Sequence, residues 1–264
     1  MLKIENVRKV FNAGTVNEKV ALNGLNLELK EGDFVTVIGG NGAGKSTMLN
    51  SVAGVYPVDA GKIYIGGVDV THLPEYKRAK YIGRVFQDPM MCTAATMQIE
   101  ENLALALRRG KPRTLRSGIT RQEREEYREK LKILELGLED RMTSKVGLLS
   151  GGQRQALTLL MATLQEPKLL LLDEHTAALD PKTAAKVLDA TQRIVSRSNL
   201  TTMMITHNMR DAIAYGNRLI MMYDGHVVVD VSGEEKKNLT VEQLLNLFSQ
   251  ASGSDEVNDK LLLS

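Results

Sequence analysis

Lys45 and Ser46 follow directly on a glycine-rich run, Gly39-Gly40-Asn41-Gly42-Ala43-Gly44, which the apolar stretch Phe34 to Ile38 precedes. Glycines let successive backbone N–H groups curl around an anion without Cβ clashes, and a helix opening at about Lys45 adds the partial positive charge of its N-terminus. A lysine at that point reaches the β- and γ-phosphates of a nucleotide as a mobile point charge, and the neighbouring hydroxyl ligates Mg²⁺. Asp173-Glu174 closes a second apolar run, Leu169 to Leu172. There an aspartate is placed to hold the metal through water, and a glutamate to orient or deprotonate an attacking water. Gln87 and His207 each end a further strand-like segment, so polar groups from separate strands converge on one sheet edge. Ser150-Gly151-Gly152 at a helix start is a second anion-binding turn, distant in the chain from Lys45. One chain therefore carries two half-sites, which an isologous pair of chains would complete.

The elements that must position these groups can be read from pattern. Residues 2–11 and 25–29 alternate as strands, with a polar loop from Asn12 to Lys19 between them. Phe11 ends the first strand as either a core residue or a ring on which a purine stacks. The glycine-rich loop leads into a helix from Lys45 to about Ala53, and Gly61 to Val70 reads as two short strands around Gly66-Gly67. A strand from Tyr81 ends at Gln87 before Asp88-Pro89, and the pattern turns helical from Ile99 to Leu136. A basic stretch at 108–128, with Pro112 and Gly118, interrupts that pattern and reads as a solvated loop and helix face. Ser150 is an N-cap for a helix to about Leu164, and Asp180-Pro181 opens another. Thr202 to Thr206 is a buried strand, and Asp224-Gly225 is a hairpin turn between Leu219–Tyr223 and Val227–Val231. Thr240 to Gln243 is a capping box for one short helix, after which residues 249–260 are expected to be mobile.

Composition excludes several classes. Lys and Arg total 34 against 32 Asp and Glu, which argues against nucleic acid as the main partner. The single cysteine, Cys92, allows neither an internal disulfide nor a cysteine zinc cluster. The longest aliphatic run, Leu169 to Leu172, is far short of a membrane span, and the N-terminal residues show no apolar signal region. A cytosolic protein is expected.

Taken together, these motifs resemble those of ATP-binding-cassette (ABC) ATPases over roughly residues 2–231. GGNGAGKST (39–47) is similar to Walker A, LLLLDE (169–174) to Walker B, LSGGQ (149–153) to the signature and Ala178-Leu179-Asp180 to the D-loop. The resemblance implies a P-loop NTPase (RecA-like) α/β fold: a parallel-sheet core, an N-terminal antiparallel β part and an inserted α-helical subdomain. Residues 1–88 and 165–233 would form the core, 89–164 the helical subdomain, and 234–264 a C-terminal helix and tail. It implies that Gly39, Asn41, Gly42, Ala43, Gly44, Lys45, Ser46 and Thr47 hold the phosphates of ATP, and that Phe11 stacks on adenine. Ser46, Gln87 and Asp173 would hold Mg²⁺, and Glu174, His207, Gln87 and Lys45 would act in hydrolysis. Ser150, Gly151, Gly152, Gln153 and Asp180 would meet the nucleotide across a head-to-tail dimer of two copies.

The same resemblance implies membrane permease partners gripped by the surface from Asp88 to Gln98, where Met90, Met91 and Met97 would form an adaptable face. The run DEHTAALDP with the enlarged helical insert is similar to ATPases of bacterial import systems that use a separate solute-binding protein. A small organic solute such as an amino acid, and a position peripheral on the inner face of the membrane, follow as expectations. The alternative is a soluble, non-transport ATPase of the iron–sulfur-assembly type. His175 stands where the family usually has proline, and reads as a structural substitution rather than a group that tunes Glu174.

Overall fold

The structure is a computed structural model that describes residues 1–111 and 118–252. In chain order, β1 (Leu2–Phe11), β2 (Lys19–Leu29) and β3 (Phe34–Ile38) lead into α1 (Lys45–Ala53). β4 (Ala60–Ile65), β5 (Val68–Asp69), α2 (Glu75–Arg78) and β6 (Ile82–Val85) follow. A helical region then comprises α3 (Ile99–Leu107), α4 (Arg121–Lys132) and α5 (Gly151–Thr163). The chain returns through β7 (Leu169–Asp173), α6 (Pro181–Ser198), β8 (Thr201–Ile205) and α7 (Met209–Ala214). It ends with β9 (Arg218–Tyr223), β10 (His226–Ser232), α8 (Gly233–Lys237) and α9 (Val241–Ser252).

Two sheets result. One is four-stranded, ordered β2-β1-β4-β5 and antiparallel. The other is six-stranded, ordered β10-β9-β3-β8-β7-β6, and parallel throughout except for the β9–β10 hairpin. The hairpin turn has positive φ at both Asp224 and Gly225, the twist that suits a two-residue connection.

The apolar run on β7 shows why the parallel sheet forms. Leu169 and Leu171 face one core with Val35, Val37, Met48 and Ile205, while Leu170 and Leu172 face another with Leu157, Leu160 and Ile194. All four leucines are fully buried, and each contributes about 2 kcal/mol relative to an exposed position. A strand covered on both faces tolerates no polar alternation, hence the uninterrupted leucines. α1 is anchored at its far end by Arg78, 2% exposed, which donates to the carbonyls of Ser51, Val52, Thr71 and Leu73 at 2.7–2.9 Å.

Several boundaries differ from the sequence expectation. β2 begins at Lys19 rather than 25, because its ladder with β1 continues through register shifts at Ile4/Val7 and Lys9/Val10 that break the period-two pattern. The helical stretch from Ile99 to Leu136 is two helices, α3 and α4, each opened by its own capping box. Two ion pairs join the helices: Arg124 binds Glu100 at 2.7 and 2.8 Å, and Arg108 binds Glu123 at 2.6 Å. Pro112 lies outside the described residues. α9 continues through Ser249 to Ser252, where a mobile segment was expected, because Leu244 and Phe248 bury against β9 and β10; residues 253–260 lie outside the described residues. Cys92 ends a 3₁₀ turn, Pro89–Cys92, where burial pushes its thiol pKa up.

Candidate active site

β3 is buried along its whole length and delivers the glycine-rich loop to the C-terminal edge of the parallel sheet. Two of the glycines are demanded by close approach. A Cβ on Gly39 would stand 2.4 Å from the Met222 carbonyl oxygen, and one on Gly44 would stand 2.6 Å from that of Ala21. The loop thus threads between β9 and β2, where no side chain fits, with both glycines at positive φ. Lys45 is 5% exposed, and its Nζ donates to the carbonyls of Gly39 (2.6 Å) and Gly40 (3.1 Å). Burial holds this ammonium below its ordinary pKa, while Glu174 and Asp173 act in the opposite direction.

Asp173 ends β7, and Glu174 follows in the left-handed region at φ 46, with its N–H donating to the Ile205 carbonyl at 3.1 Å. That kink turns the Glu174 side chain off the strand line. Its Oε1 lies 2.6 Å from Nε2 of His207, which the neighbouring β8 delivers through Thr206. Burial raises the Asp173 pKa; Arg84 opposes this, and Glu174 reinforces it. The Arg84–Asp173 separation, 3.7 Å, is an ion pair too long for a hydrogen bond, and the same Nη2 donates to Asn50 Oδ1 at 2.6 Å.

Lys45, Glu174 and His207 open onto a cleft of about 250 Å³, which Gly39, Asp173, Arg84 and Asn50 do not line. Asn41 to Thr47, Glu174 and His207 line it, together with Phe11, Lys19 and Ala21. Phe11 is half-buried, meets Tyr56 edge-on at 5.3 Å and lies outside the hydrophobic clusters. A larger groove of about 1040 Å³ opens among Gly66, Lys168, Arg197 and Thr201, at the other end of the strands, and carries none of the motif residues.

The remaining sequence-predicted residues stand apart from the cleft. Gln87 is exposed beyond β6; the carbonyl before it, that of Phe86, accepts from Gln155 Nε2 at 3.1 Å. Ser150 and Gln153 exchange side-chain and backbone hydrogen bonds as a capping box on α5, at 3.3 and 3.2 Å. Gly151 is exposed, whereas Gly152 is buried, and a Cβ on it would overlap Thr183 Cγ2 at 2.0 Å. Close packing of α5 on α6 therefore requires this glycine, independent of any ligand. Asp180 caps α6 through the Thr183 N–H at 3.1 Å, and its hydrogen bonds to Thr183 hold its carboxyl below the usual range.

His175 is structural, as expected. It is 2% exposed, and burial lowers its pKa to about 4. The Thr191 hydroxyl donates to the Val187 carbonyl at 2.8 Å, so it accepts from His175 Nε2 at 3.2 Å, which assigns the proton to that nitrogen.

Sequence reading missed Arg84, Asn50 and Lys19. Arg84 left a signal: a charge inside an otherwise apolar strand asks for a buried partner. Lys19 left none, since its place depends on the extension of β2. The donors near the loop fit a divalent cation carried in with phosphate. Asp173 and the exposed Ser46 hydroxyl supply only two hard oxygens, and among the described residues no cluster of three or more His, Cys, Asp or Glu could cage a metal by itself.

Comparison with known proteins agrees with this geometry. The family model described as ABC transporter matches residues 22–177, more than half of the chain. A tyrosine transport ATP-binding protein of Clostridioides difficile (strain R20291) is 45% identical over 251 residues, covering 95% of this chain and 100% of that protein. The methionine import ATP-binding protein MetN of Bartonella henselae is 33% identical over 232 residues, covering 86% of this chain; the chain spans 64% of that relative's length. Among solved structures, a dimeric ATP-binding cassette in a post-hydrolysis state, bound to ADP and Pi, superposes with a TM-score of 0.74 at 33% identity, covering 88% of this chain and 98% of that one. With a P-loop, an acidic pair and a histidine gathered at one sheet edge, the chain belongs to the ABC transporter family and is an ATPase.

Proposed function

We propose that this chain is the ATP-hydrolysing subunit of an importer for a small organic solute, an amino acid such as tyrosine being the reading that its 45% identical relative supports. The observation that carries the ATPase mechanism is the 2.6 Å contact between His207 and Glu174 on a cleft that Lys45 also lines. In this reading Lys45 leaves its own loop carbonyls for the phosphate oxygens, and the loop N–H groups cradle the same phosphates. Glu174 takes the proton of the attacking water, and His207 holds the carboxylate in position to do so. Ser46, Asp173 and Gln87 would hold Mg²⁺. When bound, the ion neutralises charge on the phosphates.

The signature turn supports a two-chain site. Ser150 to Gln153 do not line the cleft of their own chain, and the exposed Gly151 leaves the N-terminus of α5 open to a partner. A second copy would bring that terminus to the terminal phosphate, as a head-to-tail pair requires. Met90 and Met91 are 47% and 69% exposed on the segment after Gln87. They suit an adaptable contact with a membrane permease, and a separate solute-binding protein completes the proposed system. No helix among the described residues is long and apolar enough to cross a membrane. Relatives named for transport support a proposed place peripheral to the membrane, on the cytoplasmic side.

The transport reading is favoured over iron–sulfur assembly by relatives named for transport. Its test is purification from detergent-solubilised membranes together with uptake of labelled tyrosine. A co-purifying permease and uptake that Glu174→Gln abolishes are the expected results. An ATPase that recovers no membrane subunit and supports no uptake would return the assembly reading.

A further inference from the structure

We infer that Lys19 is a second phosphate-binding cation of the cleft, acting beside Lys45; this rests on the nucleotide reading above. The β1–β2 ladder pairs Phe11 directly with Lys19, and residues directly opposite in an antiparallel pair present their side chains on one face. One strand pair thus delivers a ring and an ammonium to the same cleft, the ring suited to a base and the cation to the phosphates attached to it. The Lys19 side chain is solvent-exposed, and its ammonium lies against the phosphate loop. Its Nζ lies 3.2 Å from the point where a Cβ on Gly42 would stand, directly against the turn of the phosphate loop.

The charge balance points the same way. Lys9, two residues before Phe11, is neutralised by Asp59 at 3.2 Å and lies 5.5 Å from the Phe11 ring centroid. Lys19 forms no ion pair among the described residues. Glu174, the one carboxylate on the cleft lining, is engaged by His207 at 2.6 Å. The countercharge for Lys19 is left to the ligand, and a lysine is a compact point charge suited to a flexible phosphate chain. Its contribution therefore grows with the number of phosphates: large for ATP, smaller for ADP, absent for adenosine. Phe11, by contrast, acts on all three alike.

Equilibrium binding of ATP, ADP and adenosine to Lys19→Gln, Lys19→Arg, Lys45→Gln and the unmodified chain tests this. Lys19→Gln should weaken ATP by about 3- to 10-fold, within the range of a partly exposed charge pair, and flatten the salt dependence of its Kd. It should leave adenosine binding and the melting temperature unchanged, while Lys19→Arg stays within about twofold of the unmodified chain for ATP. ATP affinity unchanged in Lys19→Gln, alongside a loss in Lys45→Gln, overturns the role of Lys19 and leaves the nucleotide reading intact. Equal weakening of ATP and adenosine overturns it too, since the side chain would then serve only as a wall. Unchanged ATP affinity in both lysine variants overturns the placing of the nucleotide phosphates in this cleft.

Discussion

His207 Nε2 stands 2.6 Å from Glu174 Oε1 because β7 and β8 run parallel with Asp173 opposite Ile205, so that the chain leaves both strands side by side. Both side chains are only partly exposed, 28% and 15%, so the contact is sheltered enough to fix the carboxylate and open enough to meet water. Glu174→Gln keeps the shape and removes the proposed base. Hydrolysis should fall by about 10²-fold or more with ATP affinity retained, as measured by phosphate release and equilibrium binding. His207→Ala should lower kcat without raising the ATP Kd; a normal kcat in either variant would remove the pair from the mechanism.

Gly152→Ala probes the packing of α5 on α6. The added methyl overlaps Thr183 Cγ2 at 2.0 Å, a degree of overpacking that costs about 1–3 kcal/mol. The melting temperature should drop, and Thr183→Ser, which removes the colliding methyl, should restore most of it. No drop in Gly152→Ala would mean that the two helices separate at little cost.

Mixing two inactive proteins tests the composite site. Gly151→Asp meets only the flexible end of Leu179 at 3.3 Å, so the chain should fold and bind ATP normally. It should lack ATPase activity, because a carboxylate would face the terminal phosphate of the partner's nucleotide. Lys45→Ala should fail to bind ATP. Together they should regain activity through one site built from an intact phosphate loop and an intact signature turn. Loss of ATP binding by Gly151→Asp alone would place the signature in cis.

Phe11→Ala should raise the KM for ATP with little change in melting temperature, since the ring is half-buried, outside the hydrophobic clusters and edge-on to Tyr56. Stacking of a base on an aromatic ring is worth about 1–3 kcal/mol, so binding of adenosine should weaken in parallel. A large loss of stability with an unchanged KM would make Phe11 a packing residue.

His175 makes stability depend on pH in a defined direction. The unfolded chain binds a proton at the ordinary value of 6.5, and the buried imidazole only at about 4. The unfolded state therefore gains protons first as pH falls. The stabilisation is complete above about pH 6.5 and is lost toward pH 4, amounting to about 3 kcal/mol at most. His175→Gln should flatten the melting-temperature profile between pH 4.5 and 6.5; an unaltered slope would assign the dependence to other groups.

Local chemistry was legible in the chain. The glycine–lysine loop, the acidic pair after four leucines, the Ser150 cap and the Asp224-Gly225 turn each act through neighbours a few residues away, so spacing alone carries them. The layered α/β architecture followed from the same source, because a strand buried on both faces must read as Leu169 to Leu172 does. What tertiary structure alone decided depends on register and on approach between distant segments. The β1–β2 ladder runs through bulges that hide the alternation, and so it conceals that Lys19 stands beside Phe11. The parallel register of β7 and β8 sets His207 against Glu174, although separate strands deliver them. Gly152 reads as half of an anion-binding turn, yet its lack of a side chain is demanded by Thr183 on α6. A sequence states which side chains exist and how they recur; the distance between residues on different strands or helices is set by packing, after the whole sheet has closed.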